Sequence, residues 1–204
     1  MTTPPAYVLS FTVGGLFFYE GLAMARLRVS GLEWDEAKKQ TPRQVLVGST
    51  DAQTAERSAQ RYRNEIVGRL RELTDEEIAF FVNAGKTDAR ALMWVATCRR
   101  YRILAEFARD VLDEAARIHH PTIHFGDFNA FLADKAIVAD EVDRITKSTR
   151  NKLRCTAFKM MDEAGILDRD NKVIQPFISL ELRDLLRRNR RAGLQVIPGA
   201  MRLK

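Results

Sequence analysis

Apolar residues recur at spacings of three and four along most of this chain, and they almost never alternate one by one. That period belongs to helices with one buried face rather than to half-buried strands. Only six prolines and eleven glycines punctuate the 204 residues. The expected fold class is therefore all-α, a compact helical protein. A chain of this length buries a core without a metal or disulfide staple, and it fits one domain or two small ones that share an interface. Cys98 and Cys155 stand far apart inside helical segments. They suggest neither a disulfide framework nor a metal knuckle, and a reducing cytoplasm is the expected setting.

The longest apolar run, Tyr7 to Ala25, is interrupted by Ser10, Thr12, Gly14, Gly15, Glu20 and Gly21. It falls short of the roughly 20 clean apolar residues a membrane span needs, and no basic stretch precedes it. A buried helix from about Gly15 to Ser30 is expected, closed by Gly31, with a short second helix around Glu33 to Lys39. A third should begin at Pro42 and end near Gly48. After a turn at Ser49, Thr50 and Asp51, a long helix from about Gln53 to Leu73 carries Ala55, Ala59, Tyr62, Ile66, Leu70 and Leu73 on one stripe. Arg57, Gln60, Arg61, Asn64 and Arg71 fall on the opposite face. Thr74 and Glu77 have the spacing of a capping box. Asp88 then precedes an apolar helix expected to run unbroken from Ala91 to Ala116. These elements make an N-terminal helical domain, 1–120, with a helix-turn-helix near 43–72. His119, His120, Pro121 and His124 break the pattern and read as a linker, since the three histidines match no zinc spacing.

The C-terminal domain, 127–204, is expected to be a winged helix-turn-helix. Asp127 can cap a helix holding Phe128, Phe131, Leu132, Ala136 and Ile137, and a short helix from Glu141 to Ile145 follows. Ser148 or Thr149 then caps a helix that runs to Gly165. Ile166 to Asp168 and Lys172 to Ile174 flank a polar tip as a small β-hairpin, the wing, from which Lys172 or Arg169 could touch a minor groove or a phosphate. The last helix runs from Ser179 to about Asn189.

A net charge of +6 means little until it is placed. Five basic residues and no acids lie between Lys147 and Lys159, and seven lie between Leu182 and Lys204 against Asp184 alone. The rest of the chain is left with −5. Cations gathered this way suit a nucleic-acid surface. At about 100° per residue, Leu153, Ala157, Met160, Met161 and Ala164 face the core, and Lys147, Arg150, Asn151 and Arg154 face outward. Lys152 and Lys159 point elsewhere. A recognition helix meets DNA through its N-terminal turns, where Arg150 and Arg154 can reach the duplex, Asn151 can pair with adenine, and Ser148 and Thr149 can donate to phosphate. Arg187, Arg188, Arg190 and Arg191 are further candidate DNA contacts. Arg57, Arg61 and Asn64 form a second candidate helix face, although residues 51–72 net only +1.

Several short patterns occur in order: Leu9-Ser10-Phe11-Thr12 with Gly14-Gly15-Leu16, Arg69-Leu70 with Leu73, and Leu92-Met93-Trp94 followed by Arg99-x-Tyr101. Ser148-Thr149-Arg150-x-Lys152-Leu153-Arg154 with Ala164-Gly165 completes the set. Over nearly its whole length the chain resembles the BrxA family, core components of bacteriophage exclusion (BREX) defence systems. The resemblance implies an all-helical DNA-binding protein with two helix-turn-helix elements, acting beside a methyltransferase and other BREX proteins. The expected partners are double-stranded DNA and those proteins, with no membrane and with the chain a monomer by itself. An RNA-binding, antitermination-like factor is the first alternative and would want exposed aromatics for stacking. A protein-interaction subunit, its basic tail docked on an acidic partner, is the second. No enzyme and no cofactor is expected, for want of a convincing Ser, His and Asp set or a phosphate-binding glycine loop.

Overall fold

The computed structural model describes residues 5–12, 14–41, 52–117, 122–189 and 193–202. The expected helix from Pro42 to Gly48, the turn at Ser49 to Asp51, the Ala55 side chain, His119, His120, Pro121, Arg190 and Arg191 lie outside the described residues. The helices are α1 (Phe18–Val29), α2 (Trp34–Gln40), α3 (Ala52–Leu70), α4 (Asp75–Asn83), α5 (Lys86–Arg100) and α6 (Arg102–Phe107). A π-helical segment, Ala108–Leu112, and one α turn, Asp113–Ala115, prolong α6. Then come α7 (Phe125–Ala136), α8 (Asp140–Asp143), α9 (Lys147–Glu163), α10 (Leu180–Arg188) and a 3-10 turn, Leu194–Val196. No strand occurs among the described residues, so the all-α reading holds.

Helix α5 is the strut. Its residues from Ala91 to Cys98 are all buried, and α1, α3, α4 and α9 pack on it. The stripe on α3 behaves as its spacing dictates: Ala59, Ile66 and Leu70 are buried, while Arg57, Gln60, Arg61 and Asn64 are exposed. The capping box also forms. Glu77 N–H donates to Thr74 Oγ1 at 3.2 Å, and Thr74 N–H donates to Glu77 Oε2 at 2.9 Å.

The expected single helix from Ala91 to Ala116 is two helices. Tyr101 leaves helical geometry at φ −115° and ψ 86°. Its hydroxyl donates to the Glu65 carboxylate of α3 at 2.6 Å, and its ring lies 5.0 Å from that of Phe11. A buried phenol needs a partner for its hydroxyl, and the apolar period runs through a one-residue break without recording it. Asp88 does not cap α5, whose N-cap is Gly85. Its carboxylate accepts the Ser179 N–H at 2.9 Å, at the start of α10.

The described residues of 1–120 and of 127–204 share one interior, because one cluster of buried residues includes members from Phe11 to Ala200. Leu16 N–H donates to Glu163 at the far end of α9 at 2.5 Å. From the other side, Arg69 Nη1 donates to the Gly15 and Leu16 carbonyls at 2.8 and 3.1 Å. Trp94 Nε1 donates to the Val196 carbonyl at 2.8 Å, tying the C-terminal turn to α5. Trp94→Phe keeps an aromatic ring but orphans that carbonyl. It should cost roughly 1–3 kcal/mol, seen in urea unfolding as a lower midpoint with an unchanged slope.

Candidate nucleic-acid interface

Helix α9 begins earlier than Ser148 or Thr149 would set it. Thr146 is the N-cap: it is extended at φ −67° and ψ 157°, and its hydroxyl accepts the Thr149 N–H at 3.1 Å. Lys147 and Ser148 are therefore the first two helical residues, where free N–H groups favour phosphate. At the other end Gly165 takes φ 74°, and Ile166 N–H returns to the Met161 carbonyl at 2.9 Å, the 6→1 closure of a left-handed cap. Leu153, Ala157, Met160, Met161 and Ala164 are all buried, as their spacing requires. Arg144, Ile145 and Thr146 connect α8 to α9, and α7 packs on both.

Lys147, Ser148, Asn151, Lys152 and Cys155 surround a shallow open depression on the exposed side. Lys152 belongs to this surface, contrary to the helical wheel. Ser148, Asn151 and Lys152 are exposed opposite the buried stripe, while Arg150 and Arg154 flank that stripe and are half-buried. Arg154 is more constrained than its spacing suggests. Its guanidinium lies 4.5 Å from the centre of the Phe125 ring, which meets Phe158 edge-on at 4.7 Å. This cation–π contact holds the charge at one edge of the face and restricts its reach. Phe125 opens α7, so neighbouring sequence gives no sign of the stack.

Charge neutralisation separates the two basic stretches. Among the described residues no carboxylate forms an ion pair with Lys147, Arg150, Lys152 or Arg154. The pairs on either side of them are Arg144–Asp140 at 3.0 Å and Lys159–Glu163 at 3.8 Å. The described cations of the C-terminal stretch are paired within the fold. Arg183 is 4% exposed and donates to the Ala200 carbonyl, Arg187 pairs with Asp184 at 3.5 Å, Arg188 with Glu76 at 2.6 Å and Arg202 with Asp113 at 3.0 Å. On α3, Arg57 and Arg61 pair with no acid among the described residues, because Glu56 is taken by Arg63 at 2.7 Å. Asn64 accepts from Gln60 at 3.3 Å.

The expected β-hairpin is reduced to a turn with isolated bridges. Leu167 pairs with Val173, and Lys172 pairs with Thr122. Asp168 organises the turn: its carboxylate accepts the Asp170 and Lys172 N–H groups at 2.8 and 2.9 Å, and Asn171 sits at φ 57°. Lys172 is exposed at the edge of this turn. Among the described residues no helix is long and apolar enough to cross a membrane, and no three His, Cys, Asp or Glu residues gather as a metal site.

The BrxA family profile matches residues 5–190, which takes in both α3 and α9. The chain belongs to the BrxA family. BrxA membership points to a component of a BREX phage-defence system. No curated protein matches the chain. Among solved structures, the BrxA fold seen here is similar to the crystal structure of an uncharacterized protein from Magnetospirillum magneticum. That protein is 21% identical, with a TM-score of 0.72 over 91% of this chain and 94% of the other.

Proposed function

We propose that this BrxA-family protein is a non-enzymatic, double-stranded DNA-binding subunit of a BREX phage-defence system, acting in the cytoplasm with other BREX proteins. In this reading α8 and α9 form the helix-turn-helix and the turn at 168–172 serves as its wing. The observation that carries it is the set of cations on the first two turns of α9 that have no carboxylate partner among the described residues. Unneutralised cations replace the counterions condensed on DNA phosphates, and free helix N–H groups beside them favour the same anions. Asn151 lies between them as the base-reading side chain, with Ser148 and Thr149 at the phosphates. The exposed face of α3, with Arg57 and Arg61, supplies the second contact.

Titration of a labelled random duplex at increasing salt tests this. Log affinity should fall linearly with log salt at roughly 0.9 per phosphate contacted, and unlabelled duplex should displace the complex better than structured RNA. No complex at about 50 mM salt would end the proposal. Preference for RNA would transfer it to the antitermination-like reading, for which Phe177, 87% exposed, offers a stacking surface.

A further inference from the structure

A second surface has the opposite sign to α9. Between the π-helical segment and α7 lies an open groove of about 520 Å³ whose apolar lining is Val111, Ala130, Phe131 and Val138. Asp110, Asp127 and Asp134 stand along it with one cation, Lys135. That cation is already committed: its Nζ binds Glu106 at 2.6 Å and Asp110 at 3.5 Å, clamping α6 and its π-helical extension to α7. The second oxygen of Asp110 takes Arg109 at 2.8 Å. Asp127 accepts the His124 N–H at 2.6 Å, and no cation pairs with Asp127 or Asp134 among the described residues. The groove therefore keeps a negative rim over an apolar floor.

Two further features set this groove apart from ordinary surface. Ile137 and Val138, adjacent at the end of α7, are each 82% exposed and add nothing to the core. An exposed apolar pair continuous with an apolar groove and rimmed by charge has the texture of an interaction site. The π-helical segment places Asp110 and Val111 on the groove wall, and such irregular turns are concentrated at functional sites.

We propose that this groove seats a basic amphipathic helix of a partner protein. Leucine-sized side chains at spacings of three and four would cover Val111, Phe131 and Val138, while lysine or arginine on the helix flanks meets Asp127 and Asp134. Charge complementarity selects this occupant, since an acidic or neutral helix would leave the aspartates facing an apolar contact without a counter-charge. The groove shares no lining residue with the depression on α9, so the two readings fail separately.

The test uses the full chain and a labelled synthetic helix of about 18 residues, five turns, with leucine on one face and lysine on the other. A control peptide of the same composition has its leucines scattered. The patterned peptide should bind about tenfold tighter than the control, and Val138→Lys and Asp134→Lys should each weaken it about tenfold. Both substitutions fall on exposed positions, so thermal melts and duplex affinity should stay unchanged. Equal binding of the two peptides, or binding indifferent to both substitutions, overturns the proposal. Sedimentation showing dimers that Val138→Lys abolishes would overturn it as well, by giving the groove to a second copy of the chain.

Discussion

Glu77→Ala should destabilise the protein by about 3–5 kcal/mol, because it leaves the charge of Arg99 buried without the carboxylate it faces. Both side chains are only 1% exposed, and the pair is bidentate, Nη1 to Oε2 at 2.6 Å and Nη2 to Oε1 at 2.8 Å. The same carboxylate accepts the Thr74 N–H and, at 3.3 Å, the Asn189 amide. One substitution thus removes a counter-ion, a helix cap and a link between α4 and the end of α10. Urea unfolding at pH 7 measures the loss, and Glu77→Gln, which fills the same space and keeps one of the two acceptor oxygens, should lose less. Burial by itself would raise the acid's pKa. The Arg99 hydrogen bonds, the Thr74 amide and the Asn189 amide outweigh burial and hold it below its ordinary 4.5. A depressed folded value contributes stability above the unfolded value, and this is lost as pH falls through the folded one. The wild-type protein should therefore shed this part of its stability below about pH 4.5, while Glu77→Gln shows no such loss.

The second large effect is on DNA. Lys147→Ala combined with Arg150→Ala should weaken duplex binding roughly 100-fold near 0.1 M salt and lower the salt slope by about 1.8, the share of two phosphate contacts. Arg187→Ala combined with Arg188→Ala adds the same number of lost cations to the opposite side of the comparison. Those arginines already have Asp184 and Glu76 as partners, so duplex affinity should change little. Their exposed pairs are worth about 0–1 kcal/mol each, so stability should change little too. Gel-shift titrations of both double variants separate the cases. A tail variant that loses as much affinity as the α9 variant would move the interface away from α9.

The difference between those two clusters also shows what was legible in the sequence. Periodicity reports which side of a helix faces the core, so the all-α class, the α3 stripe and the buried face of α9 follow from spacing alone. Local capping is readable for the same reason, as Thr74 with Glu77 shows, since donor and acceptor lie three residues apart. Charge counting fails where the neutralising acid is remote: Glu76 lies 112 residues before Arg188, and the Asp113 backbone that Arg202 also reaches lies 89 residues away. The Tyr101 break and the stack of Arg154 on Phe125 were hidden likewise, each fixed by a partner on another helix. The N-cap at Thr146 was within reach, because a threonine three residues before Thr149 offers the same kind of hydroxyl oxygen as Ser148, two residues earlier.

The bond from Leu16 to Glu163 gives α9 a mechanical character. With 17 residues the helix is about 25 Å long, and its proposed DNA-facing end is the one remote from that bond. The Gly15–Leu16 backbone that bonds the far end of α9 is the same backbone that Arg69 of α3 holds. If both helices meet a duplex as proposed, their placement relative to one another is set by this shared stretch of backbone.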